Sequence, residues 1–246
     1  MLEYTQILSL EVGATCNLDT LHKWCPVSVR PDGRKEMDDD KIASLAVEAY
    51  GLGFDGWVAF HFLNEPLLQP RRLSNIIDKV KEQVPTAKFL LWTNGNFFNE
   101  ANKPVINKFE WVVVSDYFKK GIDHYAKYID GPRLQVNPEV VDGRLEYGTD
   151  PTTQPCLRPF IEFIITSYGQ ALICCQDWKG KIEIGNVFDS SLKELNERRF
   201  ELAKKLAKPM DESCPEVCRN CRGKMGLAFF DQKIVNKTFA YLDTIR

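Results

Sequence analysis

The sequence predicts an α/β protein: a partial, TIM-like (β/α) barrel followed by a small C-terminal cysteine-rich unit. Short apolar runs of strand length alternate with stretches of helical period as far as Val136. Repeats of that size require a parallel sheet with right-handed crossovers. Their number falls short of eight, so a partial barrel or an open sheet fits better than a closed one. Beyond residue 155 the pattern changes to a hairpin, one long helix and a knot of cysteines, which sets a boundary between residues 1–150 and 151–246.

The elements follow in order. Ile7, Leu8, Leu10 and Val12 mark a first strand. Asp38–Asp40 can cap a helix whose apolar stripe is Ile42, Leu45, Ala46 and Ala49. A second strand runs over 57–62, and a second helix is striped by Leu73, Ile76, Ile77, Val80 and Val84. A third strand at 89–92 precedes a helical stretch around 99–108. Trp111–Val114 is apolar without alternation, as a strand buried on both faces should be. A short helix near 118–128 and a weaker strand at 134–136 complete the series. Residues 138–155, rich in Pro, Asp, Gly and Thr, read as a linker or substrate-facing loop. In the second unit, 160–166 and 171–175 flank Ser-Tyr-Gly-Gln as a hairpin. Ser191 and Glu194 form a capping box for a helix striped by Leu192, Leu195, Leu202 and Leu206, and a last helical segment lies near the C-terminus.

Composition excludes several function classes. A formal net charge of −2 gives no electrostatic case for nucleic acid or an anionic membrane surface. No apolar run approaches the ~18 residues of a membrane span. The N-terminal segment has an early Glu3 and no basic region, so no secretory signal is expected and the compartment is expected to be the cytoplasm. In a reducing compartment, eight cysteines point to metal rather than disulfides.

In parallel α/β sheets, ligands bind at the carboxyl edge of the strands. Cys16 follows the first strand, His61 to Pro66 the second, Thr93-Asn94-Gly95 the third, and Ser115-Asp116 the fourth. Four loops converging on one rim suggest a site, although Asn-Gly alone is a common turn and Glu-Pro a common helix start. The later cysteines carry a second signal. Cys218-x2-Cys221 is a two-thiolate clip, which Cys174 on the hairpin can face, with Cys156 just before the hairpin. Four such thiolates suit structural zinc or an iron–sulfur cluster, and spacing does not choose between them. Cys175, on the opposite face of a regular strand from Cys174, is expected to be packed, while Cys214 is either spare or a substitute for Cys156.

The stretches LEVGATCN, WCPVSV, AFHFLNEPLL, WTNGNFF and CCQDWKGKIEIGNVFDSSLKEL, followed by CRNC, resemble the radical S-adenosylmethionine (radical SAM) enzymes that carry a C-terminal auxiliary-cluster domain of the SPASM/twitch kind. The resemblance spans nearly the whole chain. It implies a [4Fe–4S] cluster after the first strand, held by Cys16 and Cys25, with one iron open to SAM. One-electron cleavage of SAM would then yield a 5′-deoxyadenosyl radical that removes hydrogen from a substrate. The resemblance assigns Asn64, Glu65, Thr93, Asn94, Gly95 and Ser115 to SAM binding. It assigns Cys156, Cys174, Cys218 and Cys221 to an auxiliary [4Fe–4S] cluster, and Arg144 to the neighbourhood of the substrate. It also implies a small polyol, amino-sugar or peptide-like substrate and an electron donor of the flavodoxin or ferredoxin type.

One departure stands out. The family pattern is Cys-x3-Cys-x2-Cys, whereas this loop offers Cys16-x8-Cys25 with no central cysteine. Aligned from its C-terminal side, the loop places His22 at the centre. Imidazole binds iron in Rieske clusters and raises their potential. Either His22 is the third ligand, or a group such as Asp19 or a small exogenous molecule completes the cluster. The remaining alternative is a catalytically degenerate relative that keeps one structural cluster and acts as a binding module.

Overall fold

The computed structural model of the chain describes residues 2–21, 25–29, 35–131, 133–138, 155–221 and 232–244. Among the described residues eight strands form one sheet: β1 (Ile7–Leu10), β2 (Trp57–Ala59), β3 (Lys88–Thr93), β4 (Trp111–Asp116), β5 (Arg133–Pro138), β6 (Glu162–Ile165), β7 (Gln170–Leu172) and β8 (Gly185–Asn186). Their spatial order is β5-β4-β3-β2-β1-β6-β7-β8. Strands β1 to β6 run parallel, and β7 and β8 return antiparallel. The α/β expectation holds, but among the described residues β5 and β8 are edges of an open sheet, so closure into a TIM-like barrel is not seen there.

The expected hairpin forms from β6 and β7, with Ile164 opposite Leu172. It does not stand apart. Strand β6 lies beside β1 in parallel register, Leu8 against Phe163, so the first and last thirds of the chain share one sheet. All four residues of β1 and all six of β4 are buried, as befits strands covered on both faces.

Helix α1 (Asp39–Gly51) starts where expected: the Asp38 carboxylate accepts from the backbone N–H of Asp40 at 2.9 Å and of Lys41 at 3.1 Å. Helix α2 (Pro70–Gln83) buries Leu73, Ile76, Ile77 and Val80. The stretch around 99–108 makes only one turn, α3 (Lys103–Ile106), because the Asn107 side chain bonds back to the Lys103 carbonyl and closes it. Next come α4 (Ile122–Ala126) and α5 (Arg158–Ile161). Helix α6 (Leu192–Leu206) carries the complete capping box, followed by α7 (Glu216–Arg219) and α8 (Gln232–Thr244).

Arg199 on α6 ties the two parts together. It is fully buried and donates to the carbonyls of Pro159 and Glu162, to Thr5 Oγ1 and to Asn196 Oδ1, with its guanidinium over the Phe163 ring. Burial lowers its pKa to about 9. The hydrogen bonds hold α6 against β6 and the N-terminal turn, and so fix the C-terminal unit relative to the parallel strands.

Candidate functional site

The loops after β1 to β4 meet on one rim, around a cavity of about 220 Å³. Cys16 and Cys25 border it from the first loop, Asn64 and Glu65 from the second, Thr93 and Asn94 from the third, and Ser115 from the end of β4. Seven residues assigned to one site by sequence thus share one cavity. Gly95 does not border it. Its φ of +76° makes the turn, and a Cβ there would lie 2.6 Å from Tyr125. His22 and Arg144 lie outside the described residues.

Glu65 is the hinge pin of this rim. Its carboxylate accepts from Thr93 Oγ1 at 2.6 Å, from the Asn94 backbone N–H at 2.7 Å and from the Leu67 N–H at 3.0 Å. Its own N–H donates to the Thr15 carbonyl. The side chain therefore fastens the second loop to the third, and the backbone N–H of the same residue ties them to the first. Burial pushes its pKa up to about 7, with the three hydrogen bonds opposing. Glu11 does similar work at the other end: its carboxylate accepts from the N–H groups of Leu63 and Ser167. The Asn64 side chain folds onto its own loop, to the Phe60 carbonyl and the Phe62 N–H. Asn94 Nδ2 donates to Asn17 Oδ1 at 2.8 Å and lies 4.0 Å from Cys16 Sγ. Ser115 Oγ accepts from Trp92 Nε1.

The opposite wall comes from the C-terminal unit: Arg158, Glu162, Cys175, Gln176 and Trp178. Arg158 Nη1 lies 3.2 Å from Glu162 Oε2 and 2.6 Å from Cys175 Sγ. The sequence reading gave no role to Arg158, Glu162 or Trp178. The available signal was Arg158 standing two residues after Cys156. The expectation that Cys175 is merely packed needs correction: β7 ends at Leu172, so no strand alternation governs Cys174 and Cys175, and Cys175 lies in the turn beyond the strand and borders this cavity.

A second cavity lies behind that wall. Cys156, Cys174, Cys218 and Cys221 all border it, with Ile173, Met210 and Val217 as apolar lining and Arg158 and Gln176 shared with the first. The loop that carries Cys174 is folded by Asp177, whose carboxylate accepts from Lys181 N–H and Ile182 N–H at 2.9 Å each. Cys214 is buried but does not border the cavity, whereas Cys156 does.

The donor chemistry fits iron–sulfur clusters at both places. Burial, and then the negative charge of Cys156, Cys221, Asp177 and Cys214, push the Cys218 thiol up to about 12. Burial raises Cys16 to about 11, with Glu65, Cys25 and Asp19 adding to the rise against the Leu18 N–H. Thiols that disfavour one another's ionisation this way are suited to a cationic centre that displaces their protons. Among the described residues no three His, Cys, Asp or Glu side chains converge as ligands of a single ion do. A cluster asks for less, since each thiolate takes its own iron.

Residues 156–222 match the family model of the SPASM iron–sulfur cluster-binding domain. The match covers α5 to α7, the SPASM-like unit of this chain. The resemblance read from the sequence is borne out over the chain as a whole. The S-adenosyl-L-methionine-dependent 2-deoxy-scyllo-inosamine dehydrogenase of Niallia circulans is 24% identical over 234 residues, 87% of this chain and 92% of that protein. Two crystal structures of BtrN share the fold. The open conformation matches with a TM-score of 0.66 at 23% identity, over 89% of this chain and 92% of that one. The complex with AdoMet and 2-DOIA matches with a TM-score of 0.67 at 21% identity, over 89% and 93%. In this chain the SPASM unit does more than house four thiols: through Arg158 to Trp178 it completes the first cavity.

Proposed function

We propose that the protein is a radical SAM oxidoreductase acting on a small hydroxylated molecule, of the polyol or amino-sugar kind. The single observation that carries this reading is the cavity itself, where Cys16, Cys25, Asn64, Glu65, Thr93, Asn94 and Ser115 share one wall-to-wall space. Cys16 and Cys25 would hold the catalytic [4Fe–4S] cluster, with His22 as candidate third ligand. When bound, the cluster and SAM supply a 5′-deoxyadenosyl radical for hydrogen abstraction.

The chain's own residues position that chemistry. Glu65 locks the loops after β1, β2 and β3 together, so the thiols and the Thr93-Asn94-Gly95 turn keep one geometry. Asn94 offers its amide beside Cys16, and Trp92 orients the Ser115 hydroxyl. The SPASM wall closes the far side and supplies the polar groups a hydroxylated substrate needs. Cys156, Cys174, Cys218 and Cys221 would hold the auxiliary [4Fe–4S] cluster close behind that wall. The dehydrogenase activity of the Niallia circulans relative supports the oxidative reading. The low-potential electron is expected from a cytoplasmic flavodoxin- or ferredoxin-type carrier.

Anaerobically reconstituted protein, reduced and given SAM, should form 5′-deoxyadenosine, and Cys16→Ala should form none. Reconstituted, iron-loaded wild type that leaves SAM intact would replace this reading with that of a binding module.

A further inference from the structure

Of the eight cysteines, Cys175 alone is a thiol of the first cavity that the cluster assignments do not use. It is not an isolated residue. Arg158 Nη1 lies against its sulfur and also bonds the Glu162 carboxylate, which is itself within hydrogen-bonding reach of the thiol. Arg158 is 8% exposed, and its Nε has no hydrogen-bond partner. The Trp178 Nε1 on the same wall is also buried without an acceptor. Two unmatched donors beside a thiol make a place for a ligand oxygen, because buried N–H groups are rarely left unpaired. A hydroxylated molecule whose oxygens meet Arg158 and Trp178 would bring its carbon skeleton to the sulfur.

We infer that Cys175 is a hydrogen-atom donor to carbon-centred radicals formed in this cavity. The inference rests on the radical reading above and goes beyond it. In the step, the Cys175 S–H bond breaks homolytically, a C–H bond forms, and the carbon radical becomes a closed-shell product. The thiyl left on Cys175 takes one electron from the low-potential carrier protein and one proton from solvent to regenerate the thiol. A substrate radical that meets this thiol ends with hydrogen regained rather than an electron lost. The reaction class this adds is redox-neutral inversion at carbon, and Glu162 and Arg158 act as positioning residues for the sulfur.

The test needs no substrate. Reconstituted holoenzyme is reduced in D2O and given SAM alone, and the 5′-deoxyadenosine is examined by mass spectrometry for deuterium at C5′. The Cys175 proton exchanges with solvent, so wild type should place one deuterium in the nucleoside. Cys175→Ser and Cys175→Ala should keep their iron content, and whatever 5′-deoxyadenosine they form should carry no deuterium, its hydrogen coming from non-exchangeable C–H bonds. Unlabelled nucleoside from wild type, or label that persists in both variants, overturns the inference. Absence of 5′-deoxyadenosine from iron-loaded wild type removes the radical reading itself, and this inference with it.

Discussion

The two cysteine sites of this protein differ in how their ligands are gathered. The first depends on loops: Cys16 and Cys25 belong to a segment after β1, and Glu65 fastens that segment to the loops after β2 and β3. The second depends on thiols drawn from three places in the SPASM unit, Cys156, Cys174 and the Cys218–Cys221 clip, around a narrow apolar cavity. The difference teaches that a site can be rigid in two ways. At the first, protein hydrogen bonds set the geometry before any iron arrives. At the second, the metal centre does the joining, so its loss should be felt as lost fold.

The largest expected effect tests that contrast. Cys218→Ser with Cys221→Ser should remove the auxiliary cluster, lower iron per chain by about half and cause the greatest fall in thermal stability. Cys16→Ser with Cys25→Ser should also lower iron by about half, yet leave the melting temperature nearly unchanged, because Glu65 still holds the loops. Equal destabilisation by the two pairs would break the comparison. Next, Arg199→Met should cost about 3 kcal/mol or more in chemical denaturation, since it strands buried acceptors on Pro159, Glu162 and Asn196.

Glu65 sharpens the comparison through pH. Its folded pKa of about 7 lies above the ordinary 4.5, so the folded state holds its proton more tightly. The stability from the protonated carboxyl is full below about 4.5 and is lost as pH rises through about 7. Metal-free wild type should therefore lose stability relative to Glu65→Gln across that window, by up to about 3 kcal/mol. Denaturation midpoints at a series of pH values measure the difference. Gly95→Ala should cost about 1–3 kcal/mol through the positive φ and the contact with Tyr125, and should weaken SAM binding by shifting Asn94. Ser191→Ala, distant from both cavities, should cost about 1 kcal/mol through its cap and leave iron content unchanged.

Much of this was legible in the sequence where the governing interaction is local. The Asp38 cap, the Ser191–Glu194 box and the buried run of β4 follow from side chains within a few positions of one another. The rim residues were legible because parallel strands direct their following loops to one edge. What the sequence hid is long-range. Nothing around Glu162 announces that β6 lies beside β1, a pairing that opens the sheet toward the SPASM unit. Arg199 reads as an ordinary helix-surface residue until the acceptors of α5 and β6 surround it. The Arg158–Glu162–Cys175 group is assembled only when α5 and the end of the hairpin meet, so spacing could not reveal it.

The most direct measurement is electron paramagnetic resonance on the reduced, reconstituted wild-type protein beside its Cys16→Ser variant, since the difference between the two isolates the first site. A reduced-cluster signal that shifts when SAM is added, and is lost in Cys16→Ser, is the predicted result. Spectra that do not differ, or that differ by a signal that ignores SAM, would contradict the assignment of that cavity.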